Sequence, residues 1–283
     1  MLIGFFDDTD LVVDDEDNLP DIFVLGGYFI RQDLLALFQA RISEVKRKYG
    51  LLPHAPIKWN LKDDSIRKFY RPEFWLNPDE PDRLIKIAFD IRHDLLALLA
   101  EFNAIVIVSA RYDIAREEVL QSQYSLWAFE NLIQRVGLMA QALETQNAEA
   151  SSTMLVIDWP PTGVGKSLFD IYMGGYNFGR GLTTGQDYYS GHLRQYRFYE
   201  SITHGSTLHS GPLQIADLTV GCAKDFLAWA IKGTSSTKIK GLFDMIMPCF
   251  YRAPDTGKIN GFGFKVAKND VDIDAKIAEY IAL

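Results

Sequence analysis

The sequence predicts an α/β fold, in which a mixed β-sheet carries helices on both faces. Short apolar runs typical of buried strands recur along the chain and, after an initial pair, alternate with longer segments of helical periodicity. The 283 residues, of which 48% are hydrophobic, are enough to bury a large core. We therefore expect a core at residues 1–231 and a C-terminal appendage at 232–283 packed on it.

The first half of the chain opens with a predicted hairpin. Its strands cover residues 2–6 and 22–30, and the acidic connection between them should be exposed. The β-branched run at 104–108 predicts a buried strand. Helices are expected where apolar residues recur every three or four positions. These segments are 32–49, 82–101 and 116–145, with a short extended segment at 56–60.

The second half contains a clean apolar strand at 154–157 and a helix at 213–231. Between them, residues 159–190 are rich in Gly, Tyr and Thr and predict irregular structure. Two short strands at 195–200 and 206–208, a short helix in the tail and a final helix from Ile273 complete the expected elements. Their order is compatible with a ribonuclease H-like core carrying insertions, by analogy of fold.

Three aspartates stand at the ends of apolar strands or inside an apolar helix. Asp7 follows the first strand, Asp158 follows the strand at 154–157, and Asp217 lies in the helix at 213–231. Strands that stop on an aspartate present carboxylates at the carboxyl edge of a sheet, where α/β proteins build their sites. Converging carboxylates repel one another unless a cation lies between them, and Mg²⁺ and Mn²⁺ prefer oxygen ligands. We therefore predict that these three aspartates bind a divalent metal ion.

Four more polar residues are candidates for supporting roles. Asp8 is a second ligand or a base, unless the acidic pair is simply a polar strand end. Lys58 either offsets the charge of a phosphate or extends to the surface. Gln214, three residues before Asp217, can steady a ligand or a metal-bound water. Glu130, in an otherwise apolar helix, is either a carboxylate that supports the ligands or a glutamate bound to N–H groups or water.

These residues favour phosphodiester chemistry, because two divalent ions can clamp the attacking and leaving oxygens. The leading hypothesis is a divalent-metal-dependent nuclease that acts on DNA or RNA. A catalytically silent protein that binds a partner is the first alternative. A nucleotide-handling enzyme is the second, since a Gly-Lys-Ser sequence surrounds Lys166. Pro160, however, stands where a phosphate-binding loop needs glycine.

Composition limits the partners and the compartment. The net charge of −8 argues against broad nucleic-acid binding, which draws on basic surface. Arg180, Arg194 and Arg197 form either a local basic strip that guides nucleic acid or a solvated loop. His204 and His209 lack the spacing of a metal motif and are interpreted as ordinary loop residues. We recognise no signal peptide, CxxC pair or membrane-length apolar stretch, so we expect a cytoplasmic protein, and a homodimer is left open.

Five segments together resemble the bacterial domain-of-unknown-function family thirty-eight hundred. They are the acidic turn after the first strand and the Phe-Val-Leu-Gly-Gly, Ile-Lys-Trp, Ala-Phe-Glu-Asn-Leu and Leu-Gln-Ile-Ala-Asp-Leu sequences, at 6–10, 23–27, 57–59, 128–132 and 213–218. The last segment is the most specific, and the resemblance covers about residues 2–230.

The resemblance implies a ribonuclease H-like fold with an acidic metal site at Asp7, Asp8, Asp158 and Asp217. It also implies, as for some members, a role in defence against phage. The chain departs from the family pattern at Asp8, where glutamate is usual, and in the next two residues, where the family has Ser-Gly. An aspartate in place of glutamate keeps the charge and shortens its reach.

Overall fold

The computed structural model describes residues 1–11, 22–60, 80–112, 121–146, 152–159, 165–233, 241–267 and 271–282. Within these ranges the strands are β1 (Leu2–Leu11), β2 (Ile22–Arg31), β3 (Ile105–Tyr112), β4 (Thr153–Asp158), β5 (Thr203–Gly205) and β6 (Phe264–Val266). The α-helices are α1 (Leu35–Lys48), α2 (Glu80–Glu101), α3 (Gln121–Gln146), α4 (Gly165–Phe178), α5 (Gly211–Lys232), α6 (Leu242–Ile246) and α7 (Ile273–Ile281).

The six strands form one mixed sheet in the order β5-β4-β1-β2-β3-β6. β2 runs antiparallel to both of its neighbours, β1 and β3. The other three pairings are parallel. The predicted α/β class and mixed sheet are confirmed, while the ribonuclease H-like assignment stays a prediction.

Side chains that alternate along the strands build a separate core on each face of the sheet. Phe5 and Tyr28 pack in the core formed with α1, α2, α5, α6 and α7. Their neighbours in sequence, Phe6 and Phe29, pack in the core formed with α3 and α4. The central strands are therefore apolar on both faces, and the expectation of helices on both sides of the sheet is confirmed.

The first strand is longer than predicted. β1 continues past Phe6 and pairs with β2 as far as the Leu11–Ile22 pair. The predicted strand end at Asp7 is therefore wrong, because the apolar partner strand supplies backbone partners that outweigh the poor strand propensity of aspartate. Asp7 and Asp8 lie inside a strand, and residues 12–21 of the predicted connection lie outside the described residues.

The expectation of irregular structure throughout residues 159–190 is also wrong, because α4 occupies the middle of that range. Leu168, Ile171 and Tyr172 form a buried stripe on this helix. Its two consecutive glycines allow close packing, since a Cβ at Gly175 would lie 2.7 Å from the ring of Tyr188. Glycine is therefore present in this helix because the ring of Tyr188 packs against its backbone, although glycine lowers helix propensity.

Three short predicted strands are also not found. Residues 56–60 are irregular, Leu193–Tyr196 forms a 3-10 helix, and β5 lies between the two segments predicted at 195–200 and 206–208. Short polar segments carry too little periodicity to distinguish a strand from a turn. The hairpin, the long helices, the strand that ends at Asp158 and the final helix are confirmed.

The segment after residue 240 shares the core of the main sheet. β6 is an edge strand beside β3. Phe243 of α6 stacks on Phe226 of α5, with ring centroids 4.0 Å apart. The predicted boundary between 231 and 232 stays a prediction. Among the described helices, none is both long enough and apolar enough to cross a membrane.

Candidate functional site

Three of the predicted aspartates come together where β4 ends. Phe6 pairs in parallel with Ile157, so the next residues, Asp7 and Asp158, are neighbours on adjacent strands. Both follow the side-chain alternation that faces α5, and α5 contributes Asp217 from its second turn. The charges of Asp158 and Asp217 both act on Asp7. We call Asp7, Asp158 and Asp217 the aspartate cluster.

Thr207, a buried residue of the loop between β5 and α5, joins two members of the cluster. Its hydroxyl donates a hydrogen bond to Asp7 Oδ2 over 3.1 Å. Its backbone N–H donates to Asp158 Oδ1 over 2.7 Å. Because both groups belong to one residue, Thr207 fixes the two carboxylates relative to each other.

Asp7 is a buried carboxylate that accepts two hydrogen bonds within the described residues. It is only 6% exposed, and its other oxygen accepts a 2.8 Å hydrogen bond from Asp8 N. Burial raises the pKa of Asp7 well above its usual range, and repulsion from Asp217, Asp158 and Asp8 raises it further. A carboxylate in this position is stabilised by either a proton or a nearby cation.

The pKa of Asp217 is raised by some neighbouring groups and lowered by others. Burial raises its pKa to about 6, and the charge of Asp158 acts in the same direction. A 2.5 Å hydrogen bond from Trp59 N to Asp217 Oδ2 and the charges of Lys58 and Arg92 lower that pKa. The pKa remains above its ordinary value because burial outweighs these stabilising contacts.

Asp8 differs from Asp7 in orientation. Successive strand residues point to opposite faces, so Asp8 follows Phe6 towards the α4 side and is exposed. Although it reaches solvent, protein atoms surround the carboxylate, and this loss of hydration is the largest cause of a pKa raised to about 6. Repulsion from Asp10, Asp158 and Asp217 contributes further. Asp8 therefore points to the other face of the sheet from the aspartate cluster, but lies close enough for the charges of Asp158 and Asp217 to act on it.

Lys58 reaches the site on the irregular segment 51–60. Its charge lowers the pKa of both Asp8 and Asp217, which identifies it as a cation close to these carboxylates. Arg92 of α2 donates hydrogen bonds to the carbonyl oxygens of Lys58 and Trp59 and lies 5.1 Å from the centroid of the Trp59 ring. These contacts hold the backbone of the segment in place beside the carboxylates.

Gln214 connects three parts of the site. Its side-chain oxygen accepts hydrogen bonds from Lys46 Nζ over 2.7 Å and from Ile57 N over 3.3 Å. Its Nε2 donates to Thr207 O over 2.9 Å. We predicted that Gln214 would steady a ligand or a metal-bound water, and its described hydrogen bonds instead hold protein segments. Burial lowers the pKa of Lys46 to about 8.

Glu130 occupies a different part of the molecule. It lies on α3, is fully buried, and accepts hydrogen bonds from Thr183 N over 2.6 Å and Thr184 N over 3.2 Å. The hydroxyl of Thr184 donates to it as well. Its described contacts are those of an N–H-bonded glutamate that holds the loop after α4, which was the second of the two interpretations.

The remaining candidates lie in several parts of the molecule. Pro160 lies outside the described residues, and Lys166 is in the first turn of α4. Arg180 forms a surface ion pair with Asp187 over 3.8 Å. His204 on β5 contacts the ring of Trp159, the residue that follows Asp158.

Among the described residues, two that donate a hydrogen bond to the aspartate cluster were not predicted from the sequence. Thr207 lies in a polar loop with no distinguishing pattern, and its hydroxyl bond to Asp7 spans 200 positions. The contribution of Trp59 to the cluster comes from its backbone N–H, which every residue except proline carries. One signal was available for the segment 51–60: Gly221 on α5 leaves room for the Trp59 ring, since a Cβ there would lie 2.1 Å from it.

The donor set suits a hard divalent cation, because the aspartate cluster offers only oxygen atoms. Within the described residues, no group of three or more His, Cys, Asp or Glu side chains is already arranged to hold a metal ion. Joint ligation therefore requires side-chain rotations that bring the oxygens to roughly 2.0–2.6 Å from a common ion.

Comparison of the chain with protein families, with curated proteins and with solved structures finds no match in any of the three. The resemblance to family thirty-eight hundred therefore stays a prediction.

Proposed function

We propose that the aspartate cluster binds Mg²⁺ or Mn²⁺ and that the protein hydrolyses phosphodiester bonds of nucleic acid. The observation that carries the proposal is the state of Asp7, a buried carboxylate whose pKa is raised by burial and by three neighbouring carboxylates. Bringing together acids from β1, β4 and α5 costs free energy, and a divalent cation offsets that cost. Glu130, by contrast, is a buried acid whose carboxylate is stabilised by hydrogen bonds from Thr183 and Thr184.

Each residue has a defined role in the proposed reaction. Asp7, Asp158 and Asp217 hold the cation, which supplies charge for activating water and stabilising the phosphoryl oxygens. Asp8 points to the other face of the sheet, and with a pKa of about 6 it is mostly ionised at neutral pH, so it is the candidate base at this edge of the sheet. Lys58 lies beside Asp8 and Asp217 and offsets the negative charge of the phosphate.

Cation binding tests the proposal directly. Isothermal titration with Mn²⁺ should show saturable binding to the wild-type protein and none to Asp217→Asn, which keeps an acceptor for Trp59 N. Glu130→Gln is the matched control, and it should bind Mn²⁺ as the wild type does. Cleavage of labelled DNA and RNA should require the added cation. Equal Mn²⁺ affinity for the wild type and Asp217→Asn would refute the assignment.

A catalytically silent binding protein is the second candidate. The absence of a ready-made cation arrangement among the described residues favours it, as does the net charge of −8. In that case the aspartate cluster would remain protonated or hydrated, and Mn²⁺ would not raise the melting temperature. Unchanged melting with saturating Mn²⁺, together with retained oligonucleotide binding, would favour this candidate.

A further inference from the structure

Trp159 is an exposed aromatic residue directly beside the aspartate cluster. It follows Asp158, and 73% of its surface is exposed. A tryptophan offers a large apolar area, so leaving it in water forgoes a substantial gain from burial. Packing against the described residues therefore leaves most of the ring exposed.

The ring has a defined orientation although it is exposed. Ile157 pairs with His204 of β5, and the alternation of side chains puts Trp159 on the same side of the sheet as Ile157. The rings of Trp159 and His204 meet edge to face, with centroids 5.7 Å apart and an interplanar angle of 62°. This contact supports the indole, while most of its surface remains open to a ligand.

We infer that Trp159 stacks on an unpaired base of a single-stranded nucleic acid whose backbone phosphate lies at the aspartate cluster. This inference rests on the proposed function and specifies its substrate class. Asp158 and Trp159 are consecutive residues whose Cα atoms are about 3.8 Å apart, and their side chains point to opposite faces where β4 ends. A phosphate at Asp158 and a base on Trp159 therefore lie on either side of this sheet edge, within the reach of one nucleotide or of two adjacent ones.

Charge and geometry both favour a single strand. The protein carries a net charge of −8, so general attraction to phosphates contributes little, whereas stacking does not depend on net charge. A base within a duplex is already stacked on both faces and cannot stack on an external ring. A splayed, unpaired base has a free face, and aromatic side chains bind such bases with little sequence preference.

A second exposed aromatic residue provides a matched control. Tyr189 is 92% exposed. The next residue, Ser190, accepts a 2.6 Å hydrogen bond from Tyr196 OH through its carbonyl oxygen, and Thr153 N at the start of β4 donates to Arg197 O over 3.2 Å. Tyr189 therefore lies towards the start of β4, whereas Asp158 is at the end of that strand.

Fluorescence anisotropy on the full chain tests the inference, with a labelled oligothymidylate of about 12 nucleotides as the probe. Binding is measured with Ca²⁺ and again with EDTA. Trp159→Ala should weaken binding about tenfold or more, and Trp159→Phe should retain most of it. Tyr189→Ala should leave the affinity unchanged. An abasic oligomer of equal length should bind the wild type as weakly as the oligothymidylate binds Trp159→Ala.

The inference is overturned if Trp159→Ala binds as the wild type does, or if the abasic oligomer binds as tightly as the oligothymidylate. It is also overturned if sedimentation shows that Trp159→Ala only dissociates a dimer, since the ring then contacts a second copy. Base-dependent binding in EDTA without any cation-dependent cleavage would refute the proposed hydrolysis and leave the stacking role intact. Cleavage with an unchanged KM in Trp159→Ala would refute the stacking role alone.

Discussion

Asp7 and Glu130 are both buried carboxylates, but their surroundings differ. Glu130 receives three hydrogen bonds from two consecutive threonines. Asp7 receives two hydrogen bonds, and three other carboxylates raise its pKa. Burial alone therefore does not identify a functional acid. The two acids differ in the number of hydrogen-bond donors and of negative charges around them. Glu130 is stabilised by donors, whereas Asp7 is surrounded by carboxylates and would be stabilised by a cation.

The largest expected difference between the two carboxylates is in activity. Asp7→Asn removes a charged cation ligand while keeping an oxygen that can accept from Thr207, so cation-dependent cleavage should fall by roughly 10³-fold or more. Glu130→Gln should change the rate by less than about threefold, since its described contacts lie outside the aspartate cluster. Initial rates on a labelled oligonucleotide measure both. If the two variants lost cleavage activity to a similar extent, the assignment of Asp7 as functional and Glu130 as structural would be wrong.

Stability should show the reverse order. Glu130→Ala empties a fully buried position and leaves two partly buried N–H groups and one hydroxyl without their acceptor, so the free energy of unfolding should fall by about 3 kcal/mol. Among the described hydrogen bonds, Asp217→Ala removes the acceptor of Trp59 N, and the loss of attraction to Lys58 and Arg92 is offset by the removal of a buried charge that Asp158 repels, so its net cost without cation should stay below about 1 kcal/mol. Urea denaturation at pH 7.5 in EDTA measures both values. An equal loss in the two variants would contradict the comparison.

The pH dependence of stability sharpens the same contrast. The pKa of Asp217 is raised in the folded state to about 6, so between about pH 4 and pH 6 the folded protein binds a proton more tightly than the unfolded chain. Without cation, this group therefore lowers the free energy of unfolding as the pH rises to about 6, and its full penalty remains above that pH. Allowing for partial exposure, the penalty is about 1–3 kcal/mol.

Asp217→Asn should remove this penalty. In EDTA at pH 7.5 the variant should melt a few degrees above the wild type, and at pH 4.5 the two should melt together. Mn²⁺ should raise the melting temperature of the wild type alone. The measured quantity is the difference between the two proteins, because other acids such as Asp94, whose pKa is lowered, change stability in the opposite direction. A difference that does not vary with pH would contradict the assignment.

Two members of the aspartate cluster had a correct local signal in the sequence, whereas the strand end that identified Asp7 was wrong. Asp158 ends a clean apolar strand, and Asp217 is an acid within an apolar helix. The same reasoning gave Glu130 a possible supporting role, since local sequence describes the burial of an acid but not its donors. The two threonines that satisfy Glu130 are more than fifty positions away.

The errors have similar causes. A run of aspartates is typical of a turn, so the continuation of β1 could be recognised only from its pairing with β2. The glycines of α4 weakened a helical pattern that Leu168, Ile171 and Tyr172 nevertheless carry. In each case a contact distant in sequence outweighed the local preference.

The smallest effect concerns Thr207, whose hydroxyl is one of the two donors to Asp7. Thr207→Val keeps the shape of this buried side chain and its backbone bond to Asp158 but removes the hydroxyl, which should cost about 1 kcal/mol of Mn²⁺ binding, or roughly fivefold in affinity. Thr207→Ser keeps the hydroxyl and loses a methyl group, so its affinity should remain close to wild type. If serine weakened Mn²⁺ binding more than valine did, packing of the loop would matter more than the hydrogen bond. The position of the Asp7 carboxylate would then depend on packing of the surrounding residues rather than on the Thr207 hydroxyl.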